Sequence, residues 1–120
     1  MDPKSIANSL LQFYYANFNG NRNALEVMYK DNSTLFLNGT TYTGAKSIIG
    51  GINSLPACQA TPLTYDCQTN HTNGALILIN GDLKSGAGQT VKFCEMFNIQ
   101  PNPAAQGQYY VLNHAFSVQQ

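Results

Sequence analysis

Charge is what this chain has least of. Its 120 residues carry six lysines and arginines and six aspartates and glutamates, 10% in all, where soluble domains carry about 25%. A surface so poor in charge is either polar and neutral or covered by a partner. The formal net charge is zero, and the cations (Lys4, Arg22, Lys30, Lys46, Lys84, Lys92) are scattered. No basic patch forms, which argues against direct binding of nucleic acid or an acidic membrane. Apolar runs of the roughly 18 residues that a membrane span needs are lacking too, so no membrane insertion is expected. The first residues, MDPKSIANSLLQFYYANF, lack the basic start, continuous apolar centre and small-residue cleavage site of a secretory signal. Cysteine is scarce and odd in number: Cys58, Cys67 and Cys94, with no C-x-x-C spacing. Reduced thiols in the cytosol or nucleus are the simplest reading. The glycosylation sequons at Asn32, Asn38 and Asn70 then read as by-products of composition. Two distant histidines and unmatched cysteines make no metal constellation, and no cofactor is expected.

What is present is pattern. Ile6, Leu10, Phe13, Tyr14 and Phe18 recur at three- and four-residue spacing, one stripe of a helix, opened by Pro3 and stopped by NFNGN. A second short helix places Leu25, Met28 and Tyr29 on one face. STLFLNGTTYTG reads as two short strands around Asn38-Gly39, because both residues tolerate the positive φ of a type I′ turn. GAKSIIGGINSLP reads as a third helix despite Gly50 and Gly51, closed by Pro56. Period two then takes over in four strands of about Cys58–Gln68, Gly74–Lys84, Thr90–Gln100 and Gln108–Val118. Helices first and long antiparallel strands afterwards is an α+β layout in one domain, residues 1–120. The tip Ser85-Gly86-Ala87-Gly88 carries no charge at all between Lys84 and Lys92.

One strand asks for a partner. Ala75–Asn80 reads ALILIN, apolar at both parities, so both of its faces want burial. Three helices cover one face of the sheet. The other stays wet unless a second chain covers it, at about 25 cal/mol per Å2 of apolar surface. A homodimer through the sheet is expected, with Ile77 or Leu78, whichever parity faces outward, in the interface.

Several stretches carry a family likeness: QFYYANF, NRNALEVMY, TLFLNGTTYTG, INSLP, TYDCQ, GDL, KFCEMF and QYYVLNHAF. In their order and content they resemble the nuclear transport factor 2 family from Met1 to about Phe116. The start Met1-Asp2-Pro3 and the triplet Asp66-Cys67-Gln68 look most like plant members. The resemblance implies a cone, a curved antiparallel sheet packed on three helices in a cystatin-like roll, that dimerises through the sheet. It implies nuclear import of the small GTPase Ran in its GDP form and binding to Phe-Gly repeats of nucleoporins. Residence in cytoplasm and nucleus, at the nuclear pore and envelope, goes with that role. In the family a Ran aromatic enters the cavity while rim acids pair with Ran lysines. Those acids align with Asn38, Gly86 and Gly88 here, so all three charges are lost and Ran affinity is expected to fall. Of the neighbouring positions, a family Asp becomes His114, an Arg becomes Ser117, and two cavity aromatics become Ala57 and Leu37. The resemblance leaves an apolar cavity of Leu37, Leu55, Leu83, Met96 and Phe116, with His114 at its rim. The repeat-binding groove maps to Pro3 and Ile6, Pro3 standing where the family has an aromatic.

Two other functions share this fold. Export cofactors that heterodimerise with a large mRNA-export receptor tend to carry Asn-Gly in the first hairpin and have given up Ran, which Asn38-Gly39 fits. Isomerases and dehydratases of small molecules set a carboxylate or His beside hydroxyls in the cavity, for which Asp66, His114, Tyr14 and Tyr15 are the available groups. Tyr14 and Tyr15 lie in a helical stripe, where aromatics are more often core, and SGAG lacks the Lys-Ser/Thr ending of a phosphate loop. The chain reads as a transport factor rather than an enzyme.

Overall fold

The computed structural model describes residues 2–119. Helix α1 spans Pro3–Phe18. Asp2 caps it, its side chain accepting from the Ser5 N–H at 2.8 Å, and Pro3 fills a first-turn position where no N–H is needed. The buried face is Ile6, Ala7, Leu11, Tyr14, Tyr15 and Phe18. It is turned slightly from the expected stripe, leaving Phe13 41% exposed. The short second helix is a 3-10 helix over Arg22–Met28. Strand β1 (Tyr29–Leu37) and β2 (Thr40–Thr43) flank the expected turn, with φ of 46° at Asn38 and 95° at Gly39. Helix α2 covers Ala45–Asn53. Gly51 belongs there because a Cβ would stand 2.8 Å from the Tyr42 ring, closer than atoms pack. Its helix-propensity cost, about 1 kcal/mol, is offset by that close approach.

Four long strands follow: β3 (Cys58–Thr69), β4 (Ala75–Ser85), β5 (Thr90–Pro101) and β6 (Tyr109–Val118). The sheet order is β2-β1-β6-β5-β4-β3. One pairing departs from the expected antiparallel sheet. β1 and β6 run parallel, Leu35 beside His114 and Leu37 beside Phe116. Register shifts at Pro62/Thr64 and Asn98/Ile99 bend the sheet, as bulges do.

Strand parity sorts the side chains. Ala75, Ile77 and Ile79 of β4, Phe93, Phe97 and Ile99 of β5, and Val111 and Phe116 of β6 are buried against the helices. Among the described residues no layer covers the sheet's other face.

Candidate functional site

Strand pairing brings the ends of β1, β4 and β6 and the starts of β3 and β5 to one end of the sheet. There Leu37 and Phe116 are buried, and Leu55 and Leu83 pack half-buried against the core. Phe116 stacks between Phe18, at 5.9 Å between ring centroids, and Phe93, at 5.4 Å. The Asn38 turn is stitched to β6: its N–H donates to the Phe116 carbonyl at 3.3 Å, and its Oδ1 accepts from the Val118 N–H at 3.2 Å. The neutral tip closes with Ser85 N–H on the Gln89 carbonyl at 2.8 Å. Gly88, at φ 89°, holds a left-handed position.

Lys84 and Lys92 flank the tip at this end, and Arg22 is the cation held inward. It donates to the carbonyls of Phe18, Ile52, Leu55 and Pro56, lies 4.6 Å above the Phe18 ring, and reaches Cys58 Sγ at 3.3 Å. Its partners are all neutral. This end of the sheet therefore holds a fixed positive charge and carries no acid at Asn38, Gly86 or Gly88.

Two expected mouth residues stand elsewhere. Met96 pairs with Leu78 and Ala115 and so points to the outer face. His114, expected at the rim, is 2% exposed. It shares the inward parity of Phe116 and lies one inward row deeper.

His114 belongs to a buried polar network that no local sequence pattern encodes. At its centre is Glu95, 0% exposed. Glu95 Oε2 accepts from the Tyr14 hydroxyl at 2.6 Å, Oε1 from the Tyr15 hydroxyl at 2.7 Å, and Oε2 meets His114 Nε2 at 2.6 Å. The Tyr29 hydroxyl lies 3.0 Å from His114 Nδ1. An ionised carboxylate only accepts, so Nε2 carries a proton and Nδ1 faces Tyr29. Phe97 stacks on the imidazole at 4.2 Å. Burial, and then the Glu95 charge, push the hydroxyls of Tyr14 and Tyr15 well above the ordinary tyrosine range, and Tyr29 likewise. The signal in the sequence was a lone acid at core parity in Phe93-Cys94-Glu95-Met96-Phe97. Tyr14, Tyr15 and His114, weighed as catalytic groups, do converge. But the Glu95 and His114 side chains are fully enclosed, so a substrate has no approach to them. Asp66 lies on the opposite face, beside Leu78. Among the described residues no group of three potential metal ligands forms.

On the outer face, cross-strand partners line up as a single apolar row: Phe36, Ala115, Met96 and Leu78, ending at Asp66. Phe36 is 48% and Leu78 45% exposed. Ile77, named with Leu78 for the interface, is 1% exposed and spent in the chain's own core, since strand neighbours face opposite ways. A hollow of about 480 Å3 flanks the row, walled by Asp66, Gln68, Leu76, Leu78 and Met96. The next row is polar and linked over three strands, Asn98 donating to Asn113 at 2.9 Å and Asn113 to Thr34 at 3.0 Å, and continues through Leu76 to Gln68. Near the N-terminus a groove of about 390 Å3 runs between α1 and β5/β6, lined by Ile6, Leu10, Ile99 and Tyr109 among others. Ile6 forms part of that groove and of the core. Pro3 stands a turn before it, half-buried.

Comparison with known proteins agrees with this fold. The nuclear transport factor 2 domain matches residues 6–118. Nuclear transport factor 2 of rice (Oryza sativa subsp. japonica) is 36% identical over 120 residues, 97% of this chain and 96% of its own length. The structure of nuclear transport factor 2 from Cryptosporidium parvum superposes with a TM-score of 0.89 at 30% identity, covering 98% of this chain and 94% of that one. A chain of the C. albicans Mtr2-Mex67 M domain complex has the same fold, with a TM-score of 0.84 at 14% identity over 98% of this chain and 94% of that one. The relatives are named as transport factors. By its sequence, its cone and its bare outer face, this chain belongs to the nuclear transport factor 2 family.

Proposed function

We propose that this chain works in nuclear transport as a homodimer joined through the outer sheet face. In this reading it shuttles between cytoplasm and nucleus on Phe-Gly repeats and carries Ran-GDP only weakly. The observation that carries the reading is the row Phe36–Ala115–Met96–Leu78, an apolar band across four strands with two large side chains half exposed. A second copy placed on it buries those side chains, each worth about 1.5–3 kcal/mol when fully covered. Leu78→Glu is expected to weaken the dimer by about 2–4 kcal/mol, the scale of a central interface residue, and to leave a folded monomer. Ile77→Glu, one residue away, is expected to unfold the chain instead. Sedimentation with circular dichroism separates the two outcomes, and a Leu78→Glu protein that dimerises like the parent would exclude this face.

Weak Ran binding follows from the mouth. A single aromatic plug supplies about 1.5–3 kcal/mol, too little against the rigid-body cost of association, about 4–15 kcal/mol. Rim charge would have to supply the rest, and here Arg22 adds the wrong sign for a lysine-bearing partner. Asn38→Asp with Gly86→Asp is therefore expected to raise affinity for Ran-GDP. Asp tolerates the positive φ of position 38, and a Cβ at Gly86 meets only the Ala57 carbonyl at 3.9 Å. Gly88 is left alone because its φ penalises any side chain. The gain should shrink with added salt, exposed pairs being screened within about 8–10 Å. Calorimetry on both proteins is the test; tight, salt-insensitive binding by the parent would sink the idea.

The same acid-free rim favours a second reading, an mRNA-export cofactor that heterodimerises with a large receptor. Its outer row would then meet a different chain. A stable homodimer at micromolar concentration excludes it; a monomer that becomes well behaved only with a larger partner supports it.

The groove at Ile6, Leu10, Ile99 and Tyr109 is the reading's site for a repeat phenylalanine. Pro3, lacking an aromatic ring, makes that grip weak.

A further inference from the structure

Four Asn-Gly pairs occur in the chain: Asn19-Gly20, Asn38-Gly39, Asn73-Gly74 and Asn80-Gly81. In such a pair the glycine nitrogen, unshielded by any Cβ, can attack the asparagine side-chain carbon. The structure withdraws three of the four. The Asn19 side chain is held at both ends, Nδ2 on the Ala60 carbonyl at 3.0 Å and Oδ1 on the Ala60 N–H at 2.7 Å, and the Gly20 N–H is committed to Asn17 at 3.1 Å. The Gly74 N–H is committed to Asn70 Oδ1 at 2.7 Å. Asn80-Gly81 lies in the middle of β4, paired on one side with Cys94 and Phe93 and on the other with Thr64 and Pro62.

Asn38-Gly39 is different. It is the two-residue tip of a hairpin, exposed at both positions. The Gly39 N–H has no acceptor among the described residues, and the space where its Cβ would stand is empty to 4 Å. One long bond, from the Val118 N–H at 3.2 Å, restrains the side chain, and it comes from the last residue of β6.

We propose that Asn38 is a spontaneous modification site whose deamidation installs a carboxylate at the mouth of the cone. The Gly39 nitrogen bonds to Asn38 Cγ, its proton passes to the departing Nδ2, and the Cγ–Nδ2 bond breaks to release ammonia. Water then opens the resulting cyclic imide at either carbonyl, giving aspartate or isoaspartate at position 38. The aspartyl product keeps the local fold. Asp accepts the left-handed conformation, and its oxygen still receives the Val118 N–H. The isoaspartyl product adds a methylene to the main chain and breaks the Leu37–Thr40 pairing.

The charge is not trivial for this molecule. The chain is formally neutral, and Gly86 and Gly88 have no side chain to modify. Asn38 is thus the one of the three rim positions that chemistry alone can make acidic. Resting on the Ran reading above, the aspartyl form is the tighter-binding form toward a lysine-bearing partner, because such charges govern encounter and register.

The test ages the purified full chain at neutral pH in heavy-oxygen water and maps the peptides by mass spectrometry. Label is expected at position 38 before 19, 73 or 80, together with a one-charge acidic species that co-elutes with Asn38→Asp. Label appearing first at any other pair, or an intact Asn38 after another has converted, would overturn the site. A separate titration of Ran-GDP compares the aged acidic fraction, Asn38→Asp and the parent, with circular dichroism as the check on folding. Equal affinity in all three would overturn the recognition role while the mapping result stood, so the two failures are distinguishable.

Discussion

Glu95→Leu is expected to lose about 3–5 kcal/mol of stability, the cost of taking the shared acceptor away from buried donors. Three donors, the hydroxyls of Tyr14 and Tyr15 and Nε2 of His114, converge on this one carboxylate. Leucine fills much of the volume and accepts none of them. Each orphaned donor costs about 1–3 kcal/mol, partly relieved if the rings shift. Against a total stability of about 5–15 kcal/mol for a domain, the loss is a large share of the fold. Glu95→Gln separates shape from charge. Its carbonyl can take the Oε2 position and accept Tyr14 and His114, while its NH2 donates to a Tyr15 hydroxyl that rotates to receive. A cost of about 1–2 kcal/mol is expected there, the scale of one altered hydrogen bond. Urea melts of parent and both variants decide it. A Glu95→Leu protein within about 1 kcal/mol of the parent would mean that the network is not what fastens α1 to the sheet, given that hydrogen-bond loss alone should exceed that.

The network also marks where the sequence was legible. Periodicity gave α1, α2 and the long strands nearly to the residue, and Asn38-Gly39 announced its hairpin because few residue pairs hold two positive φ angles. The parallel β1–β6 contact was hidden. It joins segments some 80 residues apart in sequence, as the separation of Tyr29 and His114 does, and no local pattern encodes such a pairing. Met96 and His114 depart from the expected mouth for a plainer reason. Strand parity puts Met96 with Cys94 and Asn98 on the outer face, and His114 with Phe116 inside. The family likeness places both at the mouth, and strand alternation separates them. A lone acid in a strand ordinarily faces solvent, but Glu95 shares the parity of Phe93 and Phe97, both core. The outer row was anticipated from ALILIN, but only cross-strand register could add Phe36 and Met96 to Leu78.

Alkaline solution should unfold the protein cooperatively, with Tyr14, Tyr15 and Tyr29 ionising together as the fold gives way. In the unfolded chain each titrates near the ordinary value of 10.0. In the native chain burial foremost, then the Glu95 charge, raises all three well above it. A raised native pKa means that the native state holds protons that the unfolded state releases. The stability from these groups is therefore complete below about pH 10 and falls as pH climbs beyond it toward the native values. Each tyrosine contributes a slope of about 1.4 kcal/mol per pH unit, so three give about 4 kcal/mol per unit. A domain of about 5–8 kcal/mol stability would then unfold between about pH 11 and 12. Tyrosinate absorbance and far-ultraviolet circular dichroism should change in one step for these three residues. Tyr29→Phe removes one titrating group and costs one hydrogen bond to His114 Nδ1. It should lower the starting stability yet flatten the alkaline slope by about a third, two effects that a denaturant series at several pH values resolves. Ionisation of all seven tyrosines near pH 10 with the dichroism unchanged would mean that solvent reaches these hydroxyls, and with them the carboxylate between α1 and the sheet.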